Sequence, residues 1–168
     1  DVDEKIRQNV PILQEIDTLI FLISLPRIMI DAQAGISVVQ QMHKLLNTIV
    51  LAIGAVGLKK KKNILICFTM GDEMWEASDE NNKYGQLAIP VNHPMPYPDD
   101  LPEYFSTLGW DSEIIKQHVQ EEYTPFYNAL INNFRSIHFT CISSLGSHPT
   151  EDGKIAHLSP TNIFDPVL

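Results

Sequence analysis

The chain has 168 residues, of which 44% are hydrophobic, enough for one domain with a real core and against disorder as the default. Twenty-one acidic and twelve basic side chains give a formal charge of −9, which disfavours non-specific attraction to nucleic acid or to an anionic membrane. Two cysteines, Cys67 and Cys141, each lie within an apolar run, so they read as small hydrophobes and not as a disulfide framework. Asp1 to Gln8 is mostly charged and polar, unlike a signal peptide, and the expected location is cytoplasmic.

In chain order, Asp3 to Gln14 reads as a short helix whose interior Pro11 limits. Asp17 to Leu25 (DTLIFLISL) is a near-continuous apolar run rich in β-branched residues, predicting a strand covered on both faces and ended by Pro26. Ser37 to Gly54 repeats apolar residues at helical spacing through Met42, Leu45, Leu46, Ile49, Val50 and Ile53. Leu45 to Leu58 followed by Lys59 to Lys62 has the look of a membrane anchor, but it is shorter than the ~20 residues a span requires and follows polar residues. A buried amphipathic helix and a solvated lysine turn account for it.

Asn63 to Asp72 (NILICFTMGD) is the most informative segment: an apolar run, read as a strand over Asn63 to Thr69, that stops at a polar turn, as at the carboxyl end of a buried parallel strand. Glu73 to Pro102 then becomes proline-rich, most densely between 84 and 102, and reads as an irregular surface insertion. Helical spacing resumes over Asp111 to Asn133, with Thr107 or Asp111 as candidate caps and Pro125 expected to kink or divide it. A third strand is expected over Ser136 to Ser143, followed by the polar turn SLGSHP; the tail from Glu151 carries Pro160 and Pro166. Strand, helix, strand, helix, strand predicts an α/β fold, a three-layer sandwich with a mainly parallel sheet.

These three strands with their turns resemble the carboxyl-terminal half of a Ras-like, TRAFAC-clade GTPase domain. Thr69, Met70, Gly71 and Asp72 fall on that family's Asn/Thr-Lys-x-Asp motif, and Ser143, Ser144 and Leu145 on its Ser-Ala-x motif. The ending KIAHLSPTNIFDPVL resembles the closing segment of bacterial double-GTPase-type proteins. The resemblance implies that Asp72 binds guanine, accepting from the N1–H and exocyclic amine as only a carboxylate can, that Thr69 supports the loop, and that Ser143 with Ser144 and Leu145 contacts the base oxygen. The implied ligand is GTP or GDP.

Two departures stand beside it. Met70 replaces the family's lysine, keeping apolar contact but no ammonium donor. No Gly-x-x-x-x-Gly-Lys-Ser/Thr loop is present, and seventeen residues before Thr18 are too few for the other strands and switches of such a domain. Magnesium and phosphoryl transfer would therefore need a preceding segment, and a fragment of a longer polypeptide is the favoured reading. The alternative is a non-catalytic interaction module on a degenerate nucleotide-binding scaffold. Either way, an upstream segment or a protein partner is expected to cover the first strand's edge.

Other patterns are weaker. The six histidines show no metal-ligand spacing, and His138, inside a strand, reads as a core or edge residue. The acidic cluster from Asp72 to Glu80 lacks EF-hand spacing. SSLGSH lacks the first glycine of a serine-nucleophile elbow, and no dinucleotide fingerprint follows the first strand. Trp75 and Trp110 lie near polar loops and read as half-buried loop anchors, with an interaction surface as the alternative.

Overall fold

The computed structural model describes residues 15–25, 40, 43, 46, 47, 50, 51, 62–70 and 101–143. They form an α/β fold around a three-stranded, wholly parallel sheet. The strands are β1 (Thr18–Ser24), β2 (Asn63–Thr69) and β3 (Ser136–Ile142), in the order β1-β2-β3. Helices α1 (Leu101–Glu122) and α2 (Thr124–Asn133) connect β2 to β3. Residues 40, 43, 46, 47, 50 and 51 are also helical, within the amphipathic segment expected between β1 and β2.

The register decides which side chains meet the helices. Phe21 pairs with Ile66 and Ile66 with Phe139, while Ile23 pairs with Phe68 and Phe68 with Cys141, so one face of the sheet carries these residues together with Ile64. They form a single buried cluster with Leu46 from the first connection, Ile115 and Val119 of α1, Phe126 and Leu130 of α2, and Phe134. The helical spacing of the sequence and the two-residue alternation of the strands thus converge on one core. Cys67 and Cys141 are both free and buried.

The opposite face is different. Ile20 and Leu22 of β1 are 47% and 65% exposed, which corrects the expectation that this strand is covered on both sides. The reason is position: β1 lies at the sheet margin among the described strands, and the helical residues of the core pack on the other face. Cys67, on the same open side of β2, is fully buried, so exposure is concentrated on β1.

Helix α1 starts at Leu101, about two turns before the start that a cap at Thr107 would give and about three before that of a cap at Asp111. Pro102 is its second residue, where a missing N–H removes no intrahelical bond. Thr107 and Asp111 are therefore interior residues and not caps. The Thr107 hydroxyl donates to the Glu103 carbonyl at 3.0 Å, and Asp111 is buried. Trp110 lies on this helix and is 73% exposed, not anchored in a loop. Pro125 divides the helical region as expected: α1 ends at Glu122, Tyr123 caps α2, and proline occupies the first turn of α2.

Polar contacts fasten the amino ends of the strands. The Lys62 ammonium donates to the Ile16 carbonyl and the residue is buried, which corrects its reading as part of a solvated turn; Lys59 to Lys61 lie outside the described residues. The Asn63 side-chain amide oxygen Oδ1 accepts from Arg135 Nε at 3.0 Å and Ser136 Oγ at 2.8 Å, joining β2 to the start of β3.

At the other margin, the Phe139 backbone N–H donates to Ser112 Oγ at 3.0 Å in a buried contact, so a helix side chain occupies a donor on β3. Ser112→Ala would leave that donor buried without this acceptor, and we expect a loss of about 1–3 kcal/mol in urea unfolding. A change below about 0.5 kcal/mol would show that the contact contributes little.

Candidate functional site

In a parallel sheet all strands end on the same side, and loops leaving their carboxyl ends form a common rim. Here Ser24, Thr69 and Ile142 occupy matching register positions at the ends of β1, β2 and β3. Neighbouring strands lie roughly 4.8 Å apart, so the turns leaving β2 and β3 begin side by side. The two motif-bearing strands, 67 positions apart from Thr69 to Ser136 by residue number, are brought into direct pairing.

Met70 follows β2 with a φ of 62°, the left-handed region that side-chain-bearing residues adopt at a cost. Its side chain is 41% exposed, and its sulfur accepts from Ser24 Oγ at 3.7 Å. The Thr69 hydroxyl donates to the Ile23 carbonyl at 3.4 Å, a long contact that ties the exit of β2 to β1. Thr69 thus touches the neighbouring strand at the rim.

Ser143 continues β3 and is completely buried. Of the six residues expected to line a base pocket, Thr69, Met70 and Ser143 are described and lie at this rim. Asp72, Ser144 and Leu145 lie outside the described residues, as do Gly71 and the 84–100 part of the expected insertion. Ser24 joins the rim without having been marked by any motif. The signal for it was its place as the last polar residue of an apolar strand, the same pattern that marks Thr69.

Charge at the described part of the rim is low, since Ser24, Thr69, Met70 and Ser143 are all neutral. Among the described residues no group of three His, Cys, Asp or Glu side chains could hold a metal ion. The Lys116–Glu113 pair, at 2.9 Å, raises the Lys116 pKa through its hydrogen bond, but it sits along α1 and not at the strand ends. His138 is exposed on β3, and no helix among the described residues is long and apolar enough to cross a membrane.

No family model, curated protein or solved structure matches the chain.

Proposed function

We propose that the rim formed by Thr69 to Asp72 and Ser143 to Leu145 is the base-recognition half of a guanine-nucleotide site. The observation that carries this reading is the register: Thr69 pairs with Ile142, so the turn containing Asp72 and the turn containing Ser143 leave adjacent strands on one side of the sheet. Asp72 accepts from the two donors of the guanine edge, and the backbone N–H groups of Ser144 and Leu145 donate to the base oxygen, which the fully buried Ser143 does not reach. Met70 supplies apolar contact along the ring.

The phosphates and magnesium belong to a segment preceding this one, because the 168 residues contain no phosphate-binding loop. In this reading the segment adds a strand beside β1 and a helical layer over Ile20 and Leu22, completing a three-layer sandwich in the cytoplasm. The exposure of those two apolar side chains supports it. Hydrolysis would depend on that segment.

A second reading, a protein-interaction module on the same scaffold, draws support from Trp110, exposed by 73% on α1. Calorimetry with GDP, GTP and ATP separates the two when performed on the chain and on the longest polypeptide its coding sequence specifies. The nucleotide reading predicts heat with GDP and GTP and little with ATP. Absence of binding by all three in both proteins would leave the interaction reading.

A further inference from the structure

We propose that the outer edge of β1 pairs with β1 of a second copy of this chain, giving a two-fold dimer whose sheet runs through both copies. This deepens the interaction reading above by naming its partner, and a preceding strand beside β1 would exclude it. The peptide groups of β1 fall into two sets. The Asp17 carbonyl accepts from the Asn63 N–H at 2.9 Å, and the parallel register carries that pattern forward, so Leu19, Phe21 and Ile23 turn their peptide groups towards β2. Thr18, Ile20, Leu22 and Ser24 turn theirs outward, and among the described strands none lies on that side. The exposed side chains of Ile20 and Leu22 belong to this outward set.

The strand complements itself. Antiparallel pairing about a two-fold axis at Phe21 sets Ile20 opposite Leu22 of the second copy and Thr18 opposite Ser24 of the second copy. Every outward residue then meets an outward residue, and each such pair exchanges both N–H···O=C bonds. Opposed side chains share a face, so Ile20 and Leu22 cover their counterparts on the open side of the sheet. Moving the axis to Ile20 or Leu22 would leave outward groups at one end of the strand unmatched. Thr18–Ser24 contains no charge, proline or glycine, and so lacks the devices by which edge strands avoid pairing. At the opposite margin the Phe139 N–H already donates to Ser112 Oγ, so pairing through β1 closes at two copies and does not continue as a filament.

One strand edge buries little area, which places this dimer among weak, concentration-dependent contacts; unfolding at low protein concentration reads the monomer. The test is sedimentation of the 168-residue chain from micromolar to millimolar concentration, with circular dichroism to confirm the fold of each variant. Wild type should move towards twice the 19.0 kDa of one chain. Ile20→Lys and Leu22→Glu each bring a charge into an apolar cross-strand pair, and each should weaken association at least about tenfold. The two substitutions together set lysine opposite glutamate across the axis and should restore association.

A chain that stays monomeric, or a dimer indifferent to both single variants, would overturn the proposal. No recovery in the double variant would overturn the axis at Phe21. The longest polypeptide the coding sequence specifies should dimerise as well, and a monomer there would assign the β1 edge to the preceding segment. Calorimetry with GDP judges the interaction reading separately. GDP binding by a dimer would overturn that reading and leave the β1 pairing in place, whereas a monomer that binds no nucleotide would overturn the pairing and leave the reading.

Discussion

Phe68→Ala will destabilise the protein by about 3–5 kcal/mol, the range for deleting a buried aromatic side chain from a core. Phe68 lies on the central strand, is 2% exposed, and belongs to the cluster that joins the sheet to the helices. Removing its ring forfeits both transfer free energy and the contacts around the cavity left behind, and neighbours on adjacent strands are held by the ladder and cannot close it fully. Because small domains are stable by only about 5–15 kcal/mol, this is a large fraction of the total.

Leu22→Ala is the matched control. Leu22 is 65% exposed, so a change within about 0.5 kcal/mol is expected in the chain alone. Urea unfolding followed by circular dichroism measures both. Equal losses at the two positions would mean that the helix-covered face is not the dominant core.

The second large effect concerns Asp72. A carboxylate receiving two hydrogen bonds from a guanine edge makes two charge-assisted contacts, each contributing about 1.5–3 kcal/mol. Asp72→Ala should therefore weaken guanine-nucleotide binding by at least roughly a hundredfold, with little effect on folding if the side chain serves only the ligand. Titration of the variant with GDP, alongside its urea midpoint, checks both parts. An affinity within about twofold of wild type would place the base elsewhere.

How much of this was legible in the sequence differs by element. β2 was read at its observed bounds because Asn63 and the Thr-Met-Gly-Asp turn bracket an unbroken apolar run. β1 was found, but its exposed side was not, since Ile20 and Leu22 belong to the same apolar run as Phe21 and Ile23, and such a run does not reveal which face is covered. The start of α1 was misplaced because Pro102, Thr107, Gly109 and Asp111 look like loop residues one at a time. A first-turn proline and helical Ser and Thr hydroxyls bonded to carbonyls four residues earlier accommodate them.

The placement of Thr69, Met70 and Ser143 at the ends of β2 and β3 could be read from where the apolar runs stop. The Ser24–Met70 contact could not, because it depends on pairing between distant segments and on the left-handed backbone of Met70.

The nucleotide reading is tested most directly by titrating wild type and Asp72→Asn with GDP and xanthosine diphosphate, in the longest polypeptide the coding sequence specifies. Xanthine carries a carbonyl where guanine carries its exocyclic amine, so an asparagine amide complements it while a carboxylate does not. Wild type should prefer GDP, and Asp72→Asn should prefer xanthosine diphosphate. An unchanged preference in the variant, or no binding of either nucleotide to wild type, would contradict the assignment of Asp72 to the base edge.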